Sequence, residues 1–133
     1  MALFEAVLDA SAVLAWLQEE LGADQVEAVM DRAGISAVNA AEVLHKLITR
    51  GMPAAEAQQV LDQLALPVVD FTEKMSRECA ALSKYAGLSL GDRACLATGI
   101  ALGLPTLTAE KLWATLPLNG IVRLIRHSST AMG

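Results

Sequence analysis

Short apolar segments alternate with amphipathic segments along almost the whole of this chain. Five of these short segments have the composition and length of buried strands: residues 4–8, 35–38, 66–71, 105–108 and 121–125. The segments between them carry apolar residues at helical spacing. Strands that alternate with helices form a largely parallel sheet with helices on both faces. The chain is therefore predicted to adopt an α/β fold with a mostly parallel sheet of four to five strands.

Helix boundaries follow from small polar residues and from proline. Helix caps are predicted at four residues: Ser11, Asn39, Thr72 and Ser89. Another helix is predicted over residues 24–32, stopping at Gly34, and one more is predicted to begin at Pro53.

The length of 133 residues suits one domain, which we expect to span residues 1–126, with residues 127–133 as a flexible C-terminal tail. Apolar residues make up 54% of the chain, which excludes intrinsic disorder. Aromatic residues make up only 4%, so Ala, Leu and Val must form most of the core. The net charge of −5 argues against general electrostatic attraction to nucleic acid or to an anionic membrane.

The sequence predicts a soluble, cytoplasmic protein. The first basic residue is Arg32, so the N-terminus lacks the positive start of a secretory signal. The longest uncharged run, residues 94–109, contains two glycines and a proline and is shorter than the about 20 apolar residues that span a bilayer. Cys79 and Cys95 do not form a Cys-x-x-Cys pair, which favours two buried thiols in a reducing compartment.

Four carboxylates follow the predicted strands or begin the helices that leave them: Asp9, Glu42, Asp92 and Glu110. The carboxyl ends of parallel strands meet at one edge of the sheet, where ligands bind in such folds. Carboxylate oxygens are the ligands that Mg²⁺ and Mn²⁺ prefer, and a cluster of unpaired acids would destabilise the fold without a cation. The sequence therefore predicts a divalent metal site at this edge.

The same acids have simpler interpretations. Asn39-x-x-Glu42 and Ser89-x-x-Asp92 have the spacing of a capping box, and Glu110 in a first helical turn is favoured by the helix dipole. An acid that closes an apolar strand has no such explanation, which makes Asp9 the strongest candidate.

Four segments, in their order and spacing, resemble the motifs of the PIN-domain family, and in particular of the bacterial VapC toxins. They are residues 7–12 (VLDASA), 36–43 (SAVNAAEV), 87–94 (GLSLGDRA) and 107–110 (LTAE). The resemblance implies a flavodoxin-like sheet related to the Rossmann fold. It also implies a metal-dependent endoribonuclease that acts as the toxin of a toxin–antitoxin pair.

By this resemblance, Asp9 and Asp92 would be the principal ligands of Mg²⁺ or Mn²⁺, and Glu42 would complete the cluster. Ser11 matches a small hydroxyl that helps to hold water or phosphate at the ion.

Thr108 matches the hydroxyl residue that precedes the family's fourth acid. That acid is usually Asp, and Glu110 departs from the pattern. The departure supports an alternative function: a catalytically attenuated module that mainly binds antitoxin or RNA.

Several further residues have two interpretations. The Asn39 amide caps a helix or faces the cleft. Some basic residues either contact RNA phosphates or are solvated surface charges. They are Arg93, Lys111 and Lys46, together with Arg50, which lies one turn beyond Lys46.

The resemblance also implies a small antitoxin partner, a homodimer and larger toxin–antitoxin assemblies. Leu14, Leu17 and Val26 would offer a groove for a partner helix, or would belong to the protein's own core. Other chemistries lack their motifs, since the chain has no Gly-x-Ser-x-Gly elbow and no phosphate-binding P-loop.

Overall fold

The computed structural model describes residues 4–118 and 120–127 of the chain. Its sheet has five strands in the order β3-β2-β1-β4-β5, and every neighbouring pair is parallel. The strands are β1 (Ala6–Leu8), β2 (Ala33–Ser36), β3 (Val68–Val69), β4 (Thr106–Thr108) and β5 (Val122–Leu124). The predicted α/β fold with a mostly parallel sheet is confirmed.

Six α-helices lie between the strands, and short 3₁₀ turns at Met30–Arg32, Leu82–Lys84 and Lys111–Thr115 complete the connections. The helices are α1 (Ala10–Leu17), α2 (Ala23–Glu27), α3 (Ala37–Thr49), α4 (Ala54–Gln63), α5 (Glu73–Ala81) and α6 (Leu90–Leu102). Among the described residues, none of these helices is long and apolar enough to cross a bilayer.

The central strand β1 is buried on both faces of the sheet. Ala6 and Leu8 pack into a cluster with α1 to α4, whereas Val7 packs into a second cluster with α5 and α6. Successive side chains of a strand point to opposite faces, so this division places helices on both sides of the sheet. The first cluster also contains Leu14 and Val26, with Leu17 packed against it, so the core interpretation of these residues is confirmed.

Two predicted caps are wrong and two are confirmed. Helix α1 is capped by Asp9 rather than Ser11, and α3 is capped by Ser36 rather than Asn39. In both cases strand and helix are joined without a loop, so the polar residue at the junction becomes the cap. Thr72 and Ser89 cap α5 and α6 as predicted.

The predicted helix over residues 24–32 is also wrong in extent. Helix α2 ends at Glu27, a 3₁₀ turn follows, and Gly34 lies inside β2 instead of terminating a helix. The carbonyl of Arg32 accepts a hydrogen bond from the Glu5 N–H (2.7 Å), which draws the chain into the sheet at this point. The predicted flexible tail lies outside the described residues, apart from His127.

Candidate active site

The fold brings the four predicted carboxylates to one cavity of about 380 Å³. Asp9 follows β1, Glu42 lies on α3 after β2, Asp92 lies in the first turn of α6, and Glu110 follows β4. The cavity therefore opens at the carboxyl end of the sheet, where open α/β folds bind their ligands.

Asp9 is buried, with only 3% of its surface exposed. The Ser11 hydroxyl donates to its carboxylate, 2.7 Å from Oδ1 and 2.9 Å from Oδ2. Thr108 Oγ1 donates to Oδ2 (2.7 Å), and the N–H of Ala12 donates to Oδ1 (2.8 Å). All of these donors are neutral, so they hold the carboxylate in place without balancing its charge.

Burial raises the pKa of Asp9 from 3.8 to about 7. The hydrogen bonds from Thr108, Ala12 and Ser11 lower this pKa, and the nearby charge of Glu110 raises it, but desolvation has the largest effect. A carboxylate in this position binds a proton or a cation more readily than an exposed one.

Glu42 is held between α3 and α6. Asn39, which is 1% exposed, donates from Nδ2 to Glu42 Oε1 (2.7 Å) and to the backbone oxygen of Gly91 (3.1 Å). A Cβ atom added at Gly91 would overlap Glu42 Oε2, so the carboxylate occupies space that only glycine leaves open. The Oδ1 atom of Asn39 is buried and has no hydrogen-bond partner among the described residues.

Asp92 forms the predicted capping box. Its Oδ2 accepts from the Ser89 N–H (2.9 Å), and its own N–H donates to Ser89 Oγ (3.1 Å). The cap and the cavity interpretations of Asp92 are thus compatible, because the capping carboxylate also lines the cavity. Glu42 differs, because Ser36 caps its helix instead of Asn39.

Cys95 lies one turn after Asp92 on α6 and is fully buried. Burial raises the pKa of its thiol well above the usual value, and the charges of Asp9, Asp92 and Glu42 raise it further. Three of the four carboxylates are therefore near enough to Cys95 for their charges to affect its thiol. The sequence indicated a buried thiol at Cys95 but no relation between this thiol and the acids.

The donor set fits a hard divalent cation, although the side chains are not arranged around one. In residues 4–118 and 120–127, no three His, Cys, Asp or Glu side chains are grouped closely enough to hold an ion. Glu42 is bound to Asn39, and Asp92 is bound to Ser89. Oxygen donors, an unbalanced buried carboxylate and a buried amide oxygen without a partner are nevertheless suited to Mg²⁺ or Mn²⁺.

Glu110 lies at the edge of the cavity and is exposed. Its backbone N–H donates to Thr108 Oγ1 (3.0 Å), the hydroxyl that also binds Asp9. Ser11 forms a similar link, because its Oγ accepts from the N–H of Ala109 (2.9 Å). The two hydroxyls thus connect the ends of β1 and β4.

Basic residues line the same cavity. Lys46 and Arg50 are among the lining residues, as their helical spacing from Glu42 indicates. Arg93 and Lys111 are not among the described residues that line it. Arg126 lines the cavity as well, although no motif or spacing in the sequence indicated it.

Comparison with known proteins shows which family the chain resembles. The model of the family described as PIN domain matches residues 6–117. A toxin–antitoxin complex from Klebsiella pneumoniae has a similar structure, with a TM-score of 0.74 and 21% identity over 92% of this chain and 99% of that one. No curated protein sequence matches the chain significantly.

Two further solved structures have the same fold. VapBC2 from Rickettsia felis, bound to a DNA fragment from its promoter, has a TM-score of 0.69 and 19% identity over 90% of this chain and 97% of that one. VapBC-5 from Mycobacterium tuberculosis has a TM-score of 0.63 and 23% identity over 92% of this chain and 99% of that one.

Proposed function

Because this chain belongs to the PIN domain family, we propose that it is a divalent-metal-dependent endoribonuclease and the toxin of a toxin–antitoxin pair. One observation supports this proposal above the others. Asp9 is a buried carboxylate held only by neutral donors, in a cavity that Glu42, Asp92 and Glu110 also line. A metal-dependent nuclease uses carboxylates of this kind to hold a cation against a phosphodiester.

Mg²⁺ or Mn²⁺ would be held by Asp9 and Asp92, with Glu42 completing the set. When bound, the ion would act as a Lewis acid on the scissile phosphate and lower the pKa of water in the site. Ser11 and Thr108 fix the Asp9 carboxylate through their hydroxyls, and Asn39 fixes Glu42.

Glu110 and Lys46 have proposed roles toward the substrate. Glu110 is exposed at the cavity edge, where its carboxylate would accept a proton from attacking water. Lys46 lines the cavity and would contact a flanking phosphate.

The charge of the cavity gives the ion a second role. Five carboxylates and three cations line the cavity, so its formal charge is −2 when all of them are ionised. This charge repels an RNA backbone, and one divalent ion offsets it. RNA binding in the cavity should therefore fail when a chelator is present.

The proposed partner is a small antitoxin protein that covers the cavity, and the proposed assembly is a homodimer that joins larger toxin–antitoxin complexes. Support comes from the similar solved structures, which include a toxin–antitoxin complex and VapBC proteins. These likenesses are at the level of fold, so the partner is part of the proposal.

A second candidate function is a catalytically attenuated module that mainly binds antitoxin or RNA. Glu110 favours it, because the longer side chain stands where the family usually has Asp and is exposed instead of being held against Asp9. The ungrouped acids favour it too, since an active site with a preformed ion pocket would show three of them together.

Sequencing of RNA 5′ ends after induction of the protein tests both candidates. The nuclease should create new ends that Asp9→Asn abolishes, whereas Asp62→Asn, the same change at an exposed acid on α4, should leave them in place. If Asp9→Asn and the unaltered protein yield the same ends, the nuclease proposal is wrong. A large increase in new ends with Glu110→Asp would favour the attenuated module.

A further inference from the structure

Arg126 lines the cavity although it lies beyond residues 6–117, the part that matches the family model. Its Nη1 is 3.1 Å from Glu20 Oε1 and 3.0 Å from the backbone oxygen of Leu21. The two charged side chains are partly exposed, at 27% for Arg126 and 43% for Glu20. The cavity therefore contains an ion pair that none of the four acid motifs includes.

The backbone of Arg126 is fixed by the core of the protein. Its neighbour Ile125 is 4% exposed, and the Ile125 N–H donates to the oxygen of Thr108 (2.9 Å). Gly22, in the turn after α1, approaches so closely that a Cβ there would lie 2.8 Å from the Ile125 oxygen, and its φ is +97°. The backbone next to Arg126 is thus anchored at the end of β4, and the guanidinium contacts the turn after α1.

The guanidinium of Arg126 retains donors for a ligand. Both contacts use Nη1, and the N–H groups on Nη2 and Nε have no partner in the described part of the chain. A guanidinium presents its N–H groups as a planar fork that matches the oxygens of a phosphate. Partly exposed ion pairs contribute little to stability, so Glu20 can be exchanged for another anion at small cost.

We infer that Arg126 binds a backbone phosphate of the RNA that enters the cavity, and that Glu20 occupies this position when RNA is absent. This inference rests on the proposed function, because it takes RNA as the ligand. Lys46 and Arg50 on α3 line the same cavity, so the phosphate site of Arg126 adds a contact from the C-terminal end of the domain. Glu20 is then an internal competitor of the substrate.

Fluorescence anisotropy with a short fluorescein-labelled single-stranded RNA of mixed sequence tests the inference, with Ca²⁺ as the divalent ion. Arg126→Gln should weaken binding about tenfold and reduce the slope of log K against log salt by about 0.7, the value for one phosphate contact to a single strand. Arg123→Gln is the matched control, because Arg123 is an exposed arginine on β5 that lines a different surface, next to Trp113. It should change neither quantity.

Glu20→Gln and Arg126→Lys separate phosphate binding from a structural tether. Glu20→Gln should tighten RNA binding severalfold, and this gain should disappear in the Arg126→Gln background. Arg126→Lys keeps the charge but not the fork, so its affinity should be intermediate. These two variants also keep the test valid if Arg126→Gln does not fold.

Two results would overturn the inference. If Arg126→Gln binds RNA like Arg123→Gln while the unaltered protein binds and cleaves RNA, Arg126 only tethers the turn after α1 and the proposed function stands. If the unaltered protein neither binds nor cleaves RNA, the proposed function fails and the inference fails with it.

Discussion

The Asp9 carboxylate combines two tasks that usually belong to different residues. It caps α1 through the Ala12 N–H, and it lies buried in the acid-lined cavity. A cap on the surface would be solvated, whereas this one is desolvated and has a pKa of about 7. Ionisation of Asp9 in the metal-free protein therefore costs free energy, and a bound cation would offset that cost.

This cost predicts how stability depends on pH. Between about pH 4 and pH 7, folded Asp9 retains a proton that the unfolded chain has released, so folding takes up a proton. The stability that the raised pKa provides is complete below about pH 4 and is lost as the pH rises through 7. The full difference, from 3.8 to about 7, corresponds to about 4 kcal/mol.

Urea unfolding in EDTA at several pH values measures this effect. Asp9→Asn keeps an oxygen that can accept from the Ala12 N–H, so the cap of α1 should remain. The free energy of unfolding of this variant, relative to that of the unaltered protein, should rise by up to about 4 kcal/mol between about pH 4 and pH 8. For Asp62→Asn, at an exposed acid, the plot of the free energy of unfolding against pH should run parallel to that of the unaltered protein. Parallel curves for Asp9→Asn as well would show that the Asp9 pKa is not raised.

The contact between α3 and α6 determines where Glu42 can lie. Asn39 joins the two helices by donating to both Glu42 and Gly91, and the missing side chain at Gly91 leaves room for the Glu42 carboxylate. Gly91 lies in the first turn of α6, and glycine favours a helix less than alanine does. Its presence here is explained by the close approach of the acid.

Gly91→Ala should therefore weaken Mn²⁺ binding about tenfold without a loss of folding stability, because the new Cβ displaces Glu42 while alanine favours the helix. Electron paramagnetic resonance of free Mn²⁺ gives the affinity. In a Glu42→Ala background the same change should have almost no effect, since the displaced group is absent. Equal Mn²⁺ affinity of Gly91→Ala and the unaltered protein would refute this role of Gly91.

The elements that were predictable from sequence are those set by local pattern. Buried parallel strands are continuous apolar runs, so they could be recognised in the sequence. The acids that follow them could therefore be assigned to one edge of the sheet from the sequence pattern. The caps at Thr72 and Ser89 were predictable because each follows a loop. The caps at Asp9 and Ser36 were not, because there strand and helix are joined without a loop.

Contacts between distant parts of the chain could not be predicted from the sequence. Arg126 and Glu20 are 106 residues apart, and no periodicity or motif relates them. The packing of Glu42 on Gly91 joins α3 to α6. In the sequence Gly91 is next to Asp92, and nothing there relates it to Glu42. Such pairs depend on the order of strands in the sheet, which the alternation of elements does not determine.

At the scale of the whole molecule, the cavity where the substrate is proposed to bind accounts for −2 of the net charge of −5. Five carboxylates line the cavity, against three cations. An acidic protein of this kind attracts RNA poorly at long range, so recognition depends on short-range contacts and on a bound ion. The central claim is therefore that the acids act with a divalent ion on RNA.

Cleavage of single-stranded RNA by the purified protein tests this claim most directly, with Asp92→Asn as the decisive variant. Asparagine retains an oxygen that can accept from the Ser89 N–H, so α6 should keep its cap while the site loses a charge. The unaltered protein and Asp62→Asn should cleave RNA in the presence of Mn²⁺, and EDTA should stop this cleavage. The rate of cleavage by Asp92→Asn should be about a hundredfold lower. Cleavage by Asp92→Asn at the unaltered rate, or cleavage that persists in EDTA, would contradict the account.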